Sequence, residues 1–173
     1  ARLGNQYENK LYRWPLVADM GLLYWRTDLM QNPPKTPAEL LRISKRLQSE
    51  GSVKYGYVWQ GRQYEGLSCV FLEILNGFGG RWIDEKDNVG LSSESSIKAV
   101  EWLKELITSG VSPIAVTNYS EPEALQAFES GDAAFMRNWP YAWSELQKST
   151  SSVKGKVGVT TMVAEYGQNS TAT

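Results

Sequence analysis

The sequence has no histidine. Its absence removes the commonest general base, the usual zinc ligand and every Ser–His or Cys–His nucleophile pair. The single cysteine, Cys69, excludes an internal disulfide and a multi-cysteine zinc site. Long apolar runs are also missing. The longest, Leu67 to Phe78, is broken by Glu73 and Asn76 and is too short to span a bilayer. No cluster of Lys or Arg stands out, and 18 basic against 19 acidic residues nearly cancel. Nucleic acid and anionic membrane surfaces are therefore poor partners. No motif requires a metal or cofactor. Asp84 to Asn88 lacks the alternating ligands and closing Glu of a calcium loop, and no Lys-Ser/Thr follows Gly77, Gly79 and Gly80 to make a phosphate loop.

Aromatic residues are plentiful. Seven Trp and nine Tyr occur in 173 residues, several beside Gly, Pro, Asn or Gln, where a core ring is less expected. Such rings serve either a rich core or a surface for flat, half-apolar ligands.

The chain reads as a helix-rich α/β or α+β domain with a small sheet flanked by helices. Leu11 to Val17 and Gly21 to Trp25 read as strands, with Ala18-Asp19-Met20 between them. Thr36, Pro37 and Glu39 form the start of a helix that Gly51 ends. Val53 to Gln60 reads as a strand, and Tyr64 to Phe78 as a buried helix in which Cys69 is a packing residue. Ser92 or Ser93 caps a helix whose apolar stripe is Ile97, Val100, Leu103, Leu106 and Ile107. Ser120 and Glu123 open another helix, Ala133 to Met136 is a strand, Pro140 starts a short helix, and Val157 to Val163 is a last strand.

Two places gather groups suited to a ligand. Trp139 precedes Pro140 where a strand gives way to a helix, with Arg137, Asn138, Tyr141 and Trp143 nearby. Free backbone N–H groups at a helix start suit hydroxyl oxygens. Gln60, Tyr64 and Glu65 surround Gly61 on a loop between a strand and a helix, the kind of segment on which binding groups concentrate. Each residue has a plain alternative. Trp139 and Tyr64 are either ligand contacts or packed rings, and Trp143 reads as core. Glu65 is either a ligand group or a carboxylate at a helix N-terminus. Arg137 and Asn138 are either hydroxyl partners or surface or capping groups. Asp19 either accepts from two ligand hydroxyls or is a turn residue. Trp14 and Trp59 are each wall or core.

Three segments resemble the solute-binding proteins of bacterial ABC sugar transporters, of the maltose- and trehalose-binding kind. The first is Trp14-Pro-Leu-Val-Ala-Asp-Met-Gly-Leu-Leu-Tyr-Trp-Arg-Thr-Asp-Leu29 with Asn32-Pro-Pro-Lys-Thr36. The second is Val58-Trp-Gln-Gly-Arg-Gln-Tyr-Glu-Gly-Leu67, leading to Asn76-Gly-Phe-Gly-Gly80. The third, Ala124 to Trp143 without a break, is similar to the family's A-x-x-x-F-x-x-G-x-A-A-M-x-x-x-W-P-x-A-W signature. They follow the family's order over roughly residues 10 to 165.

The resemblance implies two lobes joined by hinge strands, with sugar held between them. This chain then corresponds to a single lobe, the second, spanning residues 1–173, with the N-terminal lobe and the hinge return segments belonging to a longer protein. The ends, Ala1 without an initiator Met and Gln168 to Thr173, fit that expectation, so a missing leader carries no information. The implied function is non-catalytic binding of a disaccharide or glucosyl solute for import. The implied partners are the sugar, the N-terminal lobe and membrane permease subunits. The implied location is periplasmic or extracellular, with lipid anchoring of the full-length protein compatible. The ligand residues it favours are Trp139, Tyr64, Glu65, Gln60, Asp19, Tyr141 and Arg137. Two other classes compete: a glycoside hydrolase fragment using Glu65, Glu73 or Asp19, and a protein-interaction module with surface rings.

Overall fold

A computed structural model describes residues 5–165, apart from Pro15, Val17, Ala18 and Glu85. The tail from Gln168 to Thr173 and part of the expected first strand lie outside the described residues. A two-residue hairpin, β1 (Gln6–Tyr7) and β2 (Lys10–Leu11), turns through Glu8 and Asn9, both at positive φ. Positive φ at both turn positions matches the twist of a tight hairpin. Among the described residues beyond Leu11, no strand forms before Leu22. Of the expected strand over Leu11 to Val17, Leu11 ends β2, and the described residues Tyr12, Arg13, Trp14 and Leu16 are not strand; Trp14 is 84% and Leu16 96% exposed. Apolar residues alone do not make a strand; they need a neighbouring edge and a surface to cover.

The main sheet joins β3 (Leu22–Arg26), β4 (Tyr55–Val58), β5 (Ala133–Asn138) and β6 (Val157–Thr160) in the order β4-β5-β3-β6. β4 runs parallel to β5, while β3 is antiparallel to both β5 and β6. Every residue of β5 is buried, as expected of a central strand with apolar layers on both sides. Side chains alternate between those layers. Leu23, Tyr57 and Phe135 belong to one core, and Tyr24, Val58 and Met136 to the other.

Helices α1 (Pro37–Ser49), α2 (Glu65–Gly77) and α3 (Glu94–Thr108) contribute to the first core, and α4 (Glu121–Glu129) and α5 (Ala142–Leu146) to the second. Their ends follow the capping residues. Thr36 Oγ1 accepts from Glu39 N–H at 3.2 Å, and the Glu39 carboxylate accepts from Lys35 N–H at 2.8 Å. Gly51, Gly79, Gly110 and Gly131 follow the helix ends at φ values from 68° to 90°, where a Cβ would be strained.

α3 departs from its expected face. Ile97 and Val100 are 53% and 54% exposed, whereas Ser96, Ala99, Trp102, Leu103 and Leu106 face inward. The Trp102 ring lies 6.3 Å from both Tyr57 and Phe78, and this large anchor turns small Ser96 and Ala99 to the core in place of the aliphatic pair.

The parallel pair fixes where ligand-facing groups gather. The C-terminal ends of β4 and β5 emerge at the same sheet edge, one leading to Gln60 and α2, the other to Trp139 and α5. Loops beyond the carboxyl ends of parallel strands form natural crevices. β3 begins at that edge, since Leu22 pairs with Asn138. Asp19 precedes it by three residues and is exposed.

Candidate functional site

At the end of β5, Arg137 and Trp139 are two residues apart, the spacing that places side chains on one side of extended chain. The Arg137 guanidinium lies 3.6 Å from the centroid of the Trp139 ring. It is fixed from behind: Nε donates to Glu73 Oε2 at 2.9 Å, Nη2 pairs with Glu73 Oε1, and Nη1 donates to Gln60 Oε1 at 3.1 Å. Gln60 Nε2 returns a bond to Arg137 O at 3.0 Å. Arg137, Glu73 and Gln60 are all fully buried. Burial pushes the Glu73 carboxyl up, and the Arg137 contacts only partly oppose this. A Cβ at Gly21, the residue before β3, would overlap the Glu73 carboxylate, so the pair as placed calls for glycine there.

The Trp139 ring is partly exposed and held at several points. Its Nε1–H donates to Glu121 Oε1 at 2.8 Å, its backbone N–H to Asn138 Oδ1 at 2.9 Å, and its carbonyl accepts from Tyr24 Oη at 2.8 Å. Burial, foremost, lifts the Tyr24 hydroxyl to about 12.

Glu121, the first residue of α4, joins the two loops. Burial alone would raise its pKa; contacts from Trp139 and Tyr64, with the Arg137 charge, outweigh it and hold the carboxyl below its usual range. The Tyr64 hydroxyl is shielded from solvent and makes no well-aligned hydrogen bond, yet burial and the neighbouring Glu121 carboxylate raise its pKa strongly. Tyr141, 43% exposed, is raised by burial and then by the same carboxylate. Tyr64, Trp139 and Tyr141 therefore converge around one carboxylate that no motif had pointed to. Its only trace in the sequence is its place after Ser120, inside a capping signature.

The remaining candidates are placed differently. Glu65 is exposed at the first position of α2, with the half-buried Cys69 thiol 3.5 Å from its Oε1. Gln60 and Arg137 present no surface to solvent and brace Trp139 from beneath. Trp59 is buried and donates to Ser112 Oγ at 3.1 Å, and Trp14 is exposed. Trp143, expected in the core, is instead 46% exposed. It lines an apolar groove of about 360 Å³ with Leu22, Tyr24, Pro140 and Val159. A five-residue helix turns its first and fifth positions inward, Ala142 and Leu146, and leaves Trp143 on the outer side.

Among the described residues, no three His, Cys, Asp or Glu side chains gather to hold a metal ion, and no helix is long and apolar enough to cross a membrane. The chemistry on offer is a braced indole with two phenols and a charged acceptor at its rim.

An α/β lobe with such a rim at the edge of its parallel strands has the form of a ligand-binding module. The chain matches the family of bacterial extracellular solute-binding proteins over residues 2–172, and it belongs to that family. A probable ABC transporter-binding protein of Deinococcus radiodurans is 38% identical over 179 residues, covering 98% of this chain and 42% of the relative. The maltotriose-binding protein of Pyrococcus abyssi is 26% identical over 144 residues, covering 82% of this chain and 30% of its own length. Among solved structures, maltose-bound T. maritima MalE3 superposes with a TM-score of 0.91 at 38% identity, over 99% of this chain and 45% of that one. The chain thus spans less than half the length of these relatives.

Proposed function

We propose that this chain is one lobe of a carbohydrate-binding protein serving ABC-type import, and that it binds a glucose-containing disaccharide or glucosyl solute without chemical change. The observation that carries this reading is the Trp139 ring. It is partly open, backed on one face by Arg137, and bonded at its edge to Glu121 beside Tyr64 and Tyr141. Sugars present C–H faces edged by hydroxyls, and a flat ring with polar groups at its rim complements both. The named ligands of the relatives, maltose and maltotriose, support the same class. The second lobe needed to close the site, the permease partner and a periplasmic or extracellular location belong to this proposal.

The placement of Glu73 and Glu65 supports a non-catalytic reading. Hydrolysis of a glycosidic bond calls for two carboxyl groups flanking the bond. Glu73 is committed to Arg137 in the interior, and Glu65 is a solvent-facing helix-start residue. The full-length protein incubated with maltose or trehalose is expected to release no glucose; release above a Glu65→Ala control contradicts this. Binding itself is tested by titrating the full-length protein with maltose, trehalose and sucrose while following Trp fluorescence. A saturable change with at least one of them is expected. A flat response to all, with a protein partner captured instead, would favour an interaction module.

A further inference from the structure

We propose that Glu121 sets the specificity of this site: its carboxylate accepts hydrogen bonds from neighbouring hydroxyls of a sugar stacked on Trp139, and it turns away sugars carrying negative charge. The proposal rests on the carbohydrate reading above and goes beyond it by assigning a ligand-reading group and a ligand class. Arg137 covers one face of the Trp139 ring, so a ligand stacks on the other. A group bonded to the ring's Nε1 edge then stands beside the stacking surface, within reach of hydroxyls that project past that edge.

A carboxylate offers about four acceptor directions. Trp139 Nε1–H uses one of them, and the Tyr64 hydroxyl stands beside the group without a well-aligned bond to it. Among the described residues no Lys or Arg is ion-paired with Glu121. The nearest guanidinium, Arg137, is consumed by Glu73 and Gln60 and has no exposed surface. With no cation ion-paired to it among the described residues, the Glu121 carboxylate meets an incoming anion with its own charge, while hydroxyl donors meet an acceptor-only group. A charged acceptor reads donors more strongly than a neutral one and penalises their absence.

The alternative role for Glu121 is to orient the Trp139 indole and nothing more. The two roles separate in Glu121→Gln, which keeps the length and an oxygen able to accept from Nε1–H but removes the charge. In calorimetric titrations of the full-length protein with maltose, E121Q is expected to bind about ten- to a hundredfold more weakly than wild type, the range for losing a charge-assisted bond. Its thermal midpoint should stay near that of wild type. Binding within twofold of wild type overturns the assignment and leaves Glu121 as an orienting residue. The second measurement needs no substitution. Wild type should bind a disaccharide carrying a glucuronic acid unit at least about tenfold more weakly than its neutral parent. E121Q, where it folds, should narrow that ratio, and equal binding of the two sugars by wild type overturns the proposal. Failure of wild type to bind any neutral sugar overturns the carbohydrate reading and this assignment together, whereas sugar binding with unchanged E121Q affinity sinks this assignment alone.

Discussion

Arg137 carries a charge into the interior with no exposed surface, which is tolerable only because Glu73 and Gln60 take its donors. Removing one partner strands the other. Glu73→Gln is expected to cost about 3–5 kcal/mol of stability, the range for breaking a buried pair, measured by urea unfolding; a loss below about 1 kcal/mol would place the pair in high dielectric. Sequence reasoning found Arg137 and Gln60 as polar groups near aromatics but took them for ligand contacts. It had no means of pairing Arg137 with Glu73, because the pairing depends on α2 packing against the end of β5. Glu121 escaped for the same reason, since it reaches Trp139 only through the fold. At the opposite end of β3, Arg26 donates to both carboxylate oxygens of Asp28 at 2.7 Å and holds that carboxyl below its usual range. A depressed folded pKa means stability that is present above the unfolded value, near pH 4, and lost as pH falls through the folded one. Asp28→Asn should therefore lose less stability than wild type between about pH 4 and pH 2, as followed by acid-dependent urea unfolding; parallel curves would show that the pair is not linked to folding.

Helices were the most legible elements because their ends carry local chemistry. Thr36, Pro37 and Glu39 mark the start of α1, Ser93 that of α3, and glycines at positive φ lie just beyond the ends of α1 through α4. Thr36→Ala removes the acceptor for Glu39 N–H and is expected to cost about 1 kcal/mol in thermal or urea unfolding; no change would mean that the Glu39 bond to Lys35 N–H suffices. What local pattern could not supply was rotation about an axis. The aliphatic residues of α3 suggested a stripe through Ile97 and Val100, but tertiary contact with Trp102 decided the buried face. Trp143 failed similarly, because a five-residue helix has too little periodicity to say which side meets the sheet. Of the expected strand before β3, only Leu11 lies in a strand among the described residues, paired with Gln6.

At the scale of the molecule, the parallel pairing of β4 and β5 brings two distant loops to one rim. Ordered motifs in the sequence pointed to the right family, whose membership the match over residues 2–172 establishes. They could not show how the rim is wired, which is a matter of contacts between segments. Under the proposed two-lobe arrangement this rim is half of an enclosure, and closure of two lobes around ligand normally completes such a site. The central claim is that Trp139 is a wall for sugar rather than a core ring. Calorimetric titration of the full-length protein with maltose, wild type against Trp139→Ala, tests it most directly when paired with urea unfolding of both. The account predicts binding weakened by about 1–3 kcal/mol with the unfolding midpoint little changed. Unaltered maltose affinity together with a stability loss of about 3–5 kcal/mol, the signature of a truncated core aromatic, would contradict it.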